Sequence, residues 1–220
     1  DTKLVMDDEV QKLTTECNWK LQSILRTRRF HNDLELINHY KTHILSYIEF
    51  RTGAIYHAST SLLASVDAIQ SRMLRAVGMT EEQALHICHL APLCTRRDMA
   101  MLGVIHRCAL GRGPSHFKEV LVRDETPLPD TRLGSARHRL QFKEHRGVQD
   151  YAQRSLLGLI TIYNLLPPRI VEQCATVRTF QRALQDLVKE QAIEGLQEWE
   201  ELFSPRVPVA GHPLLRLLLR

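Results

Sequence analysis

Apolar residues recur every three or four positions along most of the chain, which is the spacing of one face of an α-helix. The first such stripe consists of Val10, Leu13, Cys17, Leu21 and Ile24. Two further stripes lie within residues 37–48 and 66–77. Strict alternation of apolar and polar residues, the pattern of a half-buried strand, is hard to find over four or more positions. The sequence therefore predicts an all-α protein, folded as an irregular multi-helix bundle.

Polar residues and glycines mark where several of these helices begin and end. Asn32 or Asp33 is a candidate cap for the second helix, because a short polar side chain accepts a hydrogen bond from the free amides of the first turn. Gly78 is expected to end the third helix in the left-handed conformation. Thr80 and Gln83 have the spacing of a capping box, which predicts a short helix directly after it.

The second half of the chain combines a loop with further helices. A helix over 95–110 is followed by a polar stretch at 122–135 with two prolines and one glycine, which predicts a long exposed loop. Helical periodicity returns over 149–166. It must end at the Pro167–Pro168 pair, because proline lacks an amide donor and crowds the preceding turn. A last helix is predicted over about 176–203.

These elements divide the chain into four segments. They are a helical domain over 1–112, a basic loop or linker over 113–146, a helical hairpin over 147–203 and a weakly ordered tail over 204–220. The helix that ends at Leu166 lacks a polar stripe, so we expect it to be buried on most sides. The double proline then forces a reversal, and the last helix is expected to pack back across it.

The composition is that of a globular protein able to bury a core, with 220 residues of which 44% are hydrophobic and 25% charged. No run approaches the roughly 18 apolar residues of a membrane span, and no leader pattern opens the chain, so no membrane partner is expected. The chain begins at Asp1 rather than Met, which suggests a fragment or a trimmed product. Its five cysteines are odd in number and widely spaced, which favours reduced thiols and an intracellular location.

The sequence contains none of the common catalytic motifs GxSxG, glycine-rich phosphate loop, HExxH or CxxC. Adjacent acidic residues occur at Asp7-Asp8, Glu81-Glu82 and Glu200-Glu201. These pairs fall at predicted helix starts or on a solvated face, where the helix dipole or water favours negative charge without a catalytic role. We therefore predict no catalytic residue.

Histidines and cysteines between positions 86 and 108 form a candidate zinc site. They are His86, Cys88, His89, Cys94, His106 and Cys108. Structural zinc uses four ligands in compact pairs, whereas these spacings are irregular. The cysteines also fit apolar helix faces, where a free thiol packs as a small hydrophobe. Core packing is the favoured interpretation, with no metal and no cofactor.

Basic residues are grouped rather than scattered, within a net charge of +4. The candidate nucleic-acid-binding residues are Arg26, Arg28, Arg29, Arg96 and Arg97, then the strip Arg132, Arg137, Arg139, Lys143 and Arg146, with Arg72 and Arg75 as additions. His138 and His145 lie within the strip. Clustered Lys and Arg bind a phosphate backbone in a salt-sensitive, sequence-tolerant way. A solvated basic face, or ion pairs with the acidic last helix, explains the same residues equally well.

Several motifs, taken together in chain order, resemble one family of proteins. They are DTKLVMDDEVQKLTTECNWKLQSILRTRR, YKTHILSYIEFRTGAIYHA, LASVDAIQSRMLR, LAPLCTRRDMAMLGVIHRCALG and IYNLLP. In this order they resemble the helical region that follows the palm of non-LTR (LINE-type) retrotransposon reverse transcriptases. In that family an apolar helix reads Trp-Asn-x-Leu-Pro and a later helix carries a phenylalanine. Here Tyr163 replaces the usual tryptophan, and Phe180 supplies the later ring. The resemblance covers roughly residues 1–190.

The resemblance implies a function and a set of partners. The chain would be the thumb and post-thumb helices, with 1–112 as the thumb-like domain, gripping RNA or an RNA–DNA template–primer duplex by its backbone. The palm and fingers of the parent polymerase would be its protein partners. The family's palm aspartates would precede Asp1, so the fragment is not expected to polymerise alone. The implied location is the nucleus or a cytoplasmic ribonucleoprotein.

A second hypothesis is a relic or co-opted helical domain that binds proteins and not nucleic acid. Its partner surfaces would be the acidic last helix and the apolar tail LLRLLLR. A hydrolase is a distant third hypothesis, because no pair of nucleophile and base is visible in the sequence.

Overall fold

The computed structural model of this chain describes residues 6–126, 137–144 and 153–218. These residues form helices and turns, with an isolated antiparallel bridge between Arg123 and Phe142 in place of any sheet. The prediction of an all-α fold is confirmed. No helix among the described residues is both long enough and apolar enough to cross a membrane.

The described helices are numbered here in chain order. They are α1 (Asp7–Arg26), α2 (Asp33–Tyr40), α3 (Ser46–Phe50), α4 (Thr52–Ile55), α5 (Thr60–Val77), α6 (Glu81–Cys88), α7 (Leu93–Ala109), α8 (Leu156–Asn164), α9 (Pro168–Val171), α10 (Val177–Ile193) and α11 (Pro213–Leu218). A π-helical turn at Lys41–Leu45 joins α2 to α3. Short 3₁₀ turns lie at Arg28–Phe30, Ser115–Phe117, Trp199–Glu201 and Val209–Gly211.

The chain divides into two compact units, Asp1–Arg97 and Asp98–Arg220. The boundary therefore falls inside helix α7, whereas the sequence placed the end of the first domain at residue 112. The sequence boundary rests on the loss of helical pattern after Gly111, which has a left-handed φ of 72° and follows α7 closely. A change of packing environment partway along a continuous helix leaves no comparable mark in the sequence.

The core of unit 1 is built from the predicted apolar stripes. On α1 the buried residues are Val10, Leu13, Cys17 and Leu21, and on α5 they include Val66, Ile69 and Met73. These two faces pack against each other, so the burial of both stripes stabilises the same interface. Each fully buried aliphatic side chain contributes about 1.5–3 kcal/mol relative to its exposed state.

The predicted helix ends of unit 1 are confirmed. Asn32 caps α2, because its Oδ1 accepts the Glu35 N–H at 2.9 Å. Thr80 caps α6 in the same way, with its Oγ1 accepting the Gln83 N–H at 3.1 Å. Gly78 ends α5 with φ of 69°, in the region where a residue with a Cβ is strained.

Helices α1 and α5 run in the same direction. The Oγ1 of Thr14 lies 3.2 Å from the Oγ of Ser65. One turn further along α1, Asn18 accepts a hydrogen bond from Arg72 of α5. Because the contacts advance together along both helices, their carboxyl-terminal ends lie at the same end of unit 1.

In unit 2, α8 is the apolar helix that precedes the double proline. The buried residues of this stretch are Leu159, Ile160, Ile162, Tyr163, Asn164, Leu165 and Leu166, which confirms the prediction of burial on most sides. Pro167 precedes α9 and Pro168 opens it, so the helix breaks where predicted. Phe180 of α10 packs back on α8, with its ring centroid 6.0 Å from that of Tyr163.

An extended segment, residues 137–144, is held against α8 by a side-chain amide. The Oδ1 of Asn164 accepts the N–H of Phe142 at 3.0 Å, and its Nδ2 donates to the carbonyl of Phe142 at 2.8 Å. The backbone of Phe142 is therefore paired as a neighbouring strand would pair it. Gln141 adds hydrogen bonds to the carbonyls of His138 and Asn164, at 3.0 and 3.1 Å.

The end of the chain differs from the prediction in two respects. The last long helix ends at Ile193 rather than near Phe203, because Gly195 takes a left-handed φ of 76° and turns the chain. The tail from 204 to 218, predicted to be weakly ordered, contains α11 with Leu214 and Leu218 buried. Leucines four residues apart share one helix face, so this short helix has an apolar side to bury.

The predicted loop at 122–135 lies only partly within the described residues. Its first residues include Arg123, which forms the bridge to Phe142, and Asp124, whose N–H donates to the carbonyl of Gln141 at 3.0 Å. Positions 127–135 fall outside the described residues.

Candidate nucleic-acid interface

Two of the predicted phosphate-binding residues, Arg96 and Arg97, form ion pairs within unit 1. Arg97 is only 5% exposed, and its two terminal nitrogens donate to the carboxylate of Asp67 at 2.5 and 2.9 Å. The Nε of Arg96 donates to Glu49 at 2.6 Å. Their charges are matched inside the fold, and Arg97 is buried. The structure therefore removes Arg97 from the candidate interface and gives it a structural role.

Arg51 also forms ion pairs in unit 1, although it belongs to none of the basic groups in the sequence. Its Nε lies 3.1 Å from Glu9 and its Nη1 lies 3.5 Å from Glu16. Its guanidinium also stacks over the Tyr47 ring, 4.1 Å from the centroid. A hydrogen bond from Tyr47, helped by the charge of Arg51, lowers the pKa of Glu16. Arg51 therefore has its charge matched by carboxylates of α1.

The other predicted arginines of unit 1 behave differently, and we call them the arginine end. They are Arg26, Arg28, Arg29, Arg72 and Arg75. All are exposed. Within the part of the chain that the structure describes, none forms an ion pair with a carboxylate.

The parallel course of α1 and α5 brings this group together. Arg26 is in the last turn of α1, and Arg28 and Arg29 follow it in the 3₁₀ turn. Arg72 and Arg75 lie in the last two turns of α5, where Arg75 donates to the carbonyl of Ser71 at 3.3 Å. The five arginines thus lie toward the same end of a two-helix pair, with the Arg72 guanidinium beside Asn18, two turns before the end of α1.

The helix dipoles account for only part of this charge. Cations in the last turn of a helix are stabilised by the partial negative charge of the free carbonyls, which explains Arg26 and Arg75. Arg28 and Arg29 lie beyond the end of α1, where the effect has fallen off. They therefore remain as positive charge that the helices themselves do not require.

The carboxylates of Glu35 and Glu81, which follow these arginines closely in the chain, are engaged at the starts of other helices. Glu35 accepts the Asn32 N–H at 3.0 Å in the capping box of α2. Glu81 is in the first turn of α6 and accepts from Ser71 at 3.4 Å. Each is favoured there by the positive end of its own helix. Since these carboxylates are placed by local needs, the arginine end retains an excess of cationic groups.

The predicted basic strip belongs to unit 2 and is only partly described. Arg139 and Lys143 are exposed, whereas Arg137 is half-buried. The backbone N–H of Arg139 donates to Glu172 at 2.7 Å, which leaves its guanidinium uncommitted by that contact. His138 is fully buried and does not belong to a basic surface. Arg132, His145 and Arg146 lie outside the described residues.

One exposed aromatic residue lies outside the set of site residues that was selected from the sequence. Trp19 of α1 is 75% exposed. It lies off the stripe formed by Val10, Leu13 and Cys17, and this position on the helix was the available signal. A tryptophan on the polar face of an amphipathic helix is unusual, because its large apolar ring gains most from burial.

The candidate zinc residues separate into different environments. His106 is buried, with its ring nitrogens 3.0 Å from the Tyr163 hydroxyl and 2.9 Å from the Cys174 carbonyl. All five cysteines are free thiols, and Cys17, Cys88 and Cys174 are buried. The described residues contain no group of three or more His, Cys, Asp or Glu side chains able to hold a metal ion.

A cavity of about 550 Å³ lies in unit 2. It is lined mainly by apolar atoms, from residues that include Cys108, Phe117, Leu121, Arg123 and Phe142. Burial raises the pKa of the Cys108 thiol, which disfavours the nucleophilic thiolate. Arg123 crosses this region to donate to the Ala109 carbonyl at 2.8 Å, so its visible role is to hold the loop.

Comparisons with protein-family models, with curated protein sequences and with solved structures find no match to this chain. The fold and the site together define an all-α protein of two units. Its first unit carries an exposed arginine group at the joint end of two parallel helices.

Proposed function

We propose that this chain is a non-catalytic nucleic-acid-binding module that grips the backbone of an RNA–DNA template–primer duplex. In this it would act as the thumb does in the retrotransposon reverse transcriptases that it resembles. The observation that carries the proposal is the arginine end, where five exposed arginines have no carboxylate partner among the described residues.

The chemistry of these side chains suits a phosphate backbone. A guanidinium presents a planar fork of donors that fits two phosphate oxygens at once. Contacts of this kind fix the position of a duplex without reading its sequence. Helices α1 and α5 are packed along each other, so they would present the arginines from a rigid support. Polymerase chemistry would then belong to the palm and fingers of the parent protein.

The runner-up is a relic or co-opted helical domain that binds other proteins. The observation that favours it is a set of exposed apolar side chains, of which Phe50 is 88% and Ile193 is 72% exposed. Large apolar side chains in contact with water are common at protein interfaces. Unlike the first proposal, this one predicts no dependence of binding on the arginine end.

Neutralising three members of the arginine end is expected to weaken binding of an RNA–DNA hybrid duplex at least about tenfold at 0.1 M salt. The variant is Arg26→Gln, Arg28→Gln and Arg29→Gln. Each lost phosphate contact removes the release of about one counterion, so the slope of log K against log salt should fall by about 3. Fluorescence anisotropy with an end-labelled hybrid, repeated over a salt series, measures both quantities.

A matched control has the same change in net charge. Arg178, Arg182 and Arg216 are exposed residues of unit 2, and their triple replacement by Gln should leave the salt slope within about half a unit of the original. Equal losses in the two variants would reduce the effect to net charge and contradict a defined site. No binding of the hybrid by the unmodified chain at 0.05 M salt would reject the proposed function and favour the protein-binding alternative.

A further inference from the structure

We infer that Trp19 and Phe30 form a stacking platform for the bases of an unpaired RNA or DNA strand that passes over the arginine end. The inference rests on the proposed function and narrows it, because it assigns the ligand a single-stranded part. Trp19 is 75% exposed and Phe30 is 69% exposed, and both belong to unit 1.

Trp19 shares one face of α1 with Arg26, the member of the arginine end that lies on this helix. Residues seven positions apart lie on the same side of a helix after two turns, which relates Trp19 to Arg26. Gln22 and Ser23 fall between them on that face, and both are exposed. The axial distance between Trp19 and Arg26 is about 10 Å, from a rise of 1.5 Å per residue. This is about three steps of a stacked strand, at 3.4 Å per step.

The second aromatic residue adjoins the arginines. The guanidinium carbon of Arg29 lies 4.7 Å from the centroid of the Phe30 ring. Phe30 directly follows the paired arginines at 28 and 29, at the end of the 3₁₀ turn. Alternation of aromatic rings with cations is the arrangement that single-strand-binding surfaces use, with bases stacked on the rings and phosphates on the cations.

The exposed faces of the Trp19 and Phe30 rings favour an unpaired strand over a duplex as the ligand. In a duplex both faces of each base are covered by neighbouring base pairs, so an indole can stack only at an open end. An unpaired strand offers a free face at every nucleotide, and stacking on it is tolerant of sequence. An apolar protein partner would cover Trp19 but gives no reason for the excess of arginines in this part of unit 1, whereas a nucleic-acid strand supplies bases for the ring and phosphates for the arginines.

The test compares Trp19→Ala with Trp19→Phe in the full chain, because Trp19 is exposed and neither change removes a core contact. The probes are a labelled 12-nucleotide oligodeoxythymidine, a blunt-ended RNA–DNA hybrid, and heparin as a polyanion without bases. Affinities are measured by anisotropy, or by competition for heparin. Quenching of Trp19 fluorescence by the unlabelled oligonucleotide is recorded in a Trp199→Phe background, which leaves one tryptophan.

We expect Trp19→Ala to bind the single strand about tenfold more weakly and Trp19→Phe to retain most of the affinity. Binding of the hybrid and of heparin should change less than about twofold, and the oligonucleotide should quench Trp19 to saturation. If Trp19→Ala binds the single strand as well as the original chain does, and the oligonucleotide does not quench Trp19, the stacking inference is overturned. The proposed function would still stand in that case if binding of the hybrid depends on the arginine end. Equal losses for single strand, hybrid and heparin would also overturn the stacking inference, because they indicate a structural effect.

Discussion

Replacing Asn164 with leucine is expected to lower the free energy of unfolding of unit 2 by about 2–5 kcal/mol. The side chain is 3% exposed and joins both backbone groups of Phe142, at 3.0 and 2.8 Å. Leucine has a similar volume but no polar atoms, so the N–H and the carbonyl of Phe142 would lose their partner. Each buried backbone group left unsatisfied costs about 1–3 kcal/mol.

Urea denaturation in a Trp19→Phe background, which leaves Trp199 of unit 2 as the one tryptophan, measures this loss by fluorescence. A fitting control is Gln173→Leu, because Gln173 carries an exposed side-chain amide in the same unit. The control should change stability by less than about 0.5 kcal/mol. If Asn164→Leu loses less than about 1 kcal/mol, the segment 137–144 is held by its other contacts, and Asn164 is not its main attachment.

Asn164 also illustrates which part of the fold the sequence could reveal. The apolar run around it and the double proline after it are enough to predict a buried helix with a sharp end. The polar residue in that run finds its partner at Phe142, 22 positions earlier in the chain. Helical periodicity says which residues are buried, but it does not say which distant segment supplies a donor and an acceptor to a buried amide.

A contact with a distant segment also decides which of the predicted arginines are buried in ion pairs and which are exposed. Arg97 and Arg29 are equally basic in the sequence, and both occur in adjacent pairs of arginines. Arg97 is buried because Asp67, 30 positions away, lies within 2.5 Å of it across the interior of unit 1. Arg29 follows a helix end and meets no carboxylate among the described residues. Charge clustering could therefore nominate the site but could not separate ion-paired arginines from exposed ones.

Unit 2 is expected to unfold on mild acidification, with stability falling steadily between about pH 6.5 and pH 4. The cause is a set of fully buried histidines at positions 106, 138 and 212. In each, Nε2 lies within hydrogen-bonding distance of a backbone carbonyl, at 2.8–3.2 Å. A carbonyl only accepts, so the proton of the neutral ring belongs on Nε2.

In His138 and His212 the other ring nitrogen, Nδ1, must then act as a hydrogen-bond acceptor. Nδ1 of His138 accepts the Leu140 N–H at 3.1 Å, and Nδ1 of His212 accepts the Leu214 N–H at 3.3 Å. A proton added to Nδ1 of either ring would face the backbone N–H that this nitrogen now accepts, in a buried site. Burial lowers the pKa of His138 to about 4, and it also lowers the pKa of His106 and of His212.

The direction of the pH effect follows from these shifts. In the unfolded chain a histidine binds a proton near pH 6.5, whereas these folded sites bind it only at lower pH. Above pH 6.5 both states are neutral and the stability is fully present. As the pH falls toward 4 the unfolded state gains protons first, which costs about 3 kcal/mol for His138 alone.

Proton linkage can be assigned to a single residue by replacement of His138 with glutamine. Glutamine can donate to the Tyr163 carbonyl and accept from Leu140 without titrating. Urea unfolding is monitored at Trp199, in the Trp19→Phe background, between pH 7.5 and 4.5. Below about pH 6.5 the dependence of stability on pH should lose about 1.4 kcal/mol per pH unit of its slope in His138→Gln. His116→Gln, at an exposed position of unit 2, should keep the original slope. An unaltered slope in His138→Gln would mean that the ring is already able to take up its proton in the folded state, which contradicts the neutral, doubly hydrogen-bonded histidine.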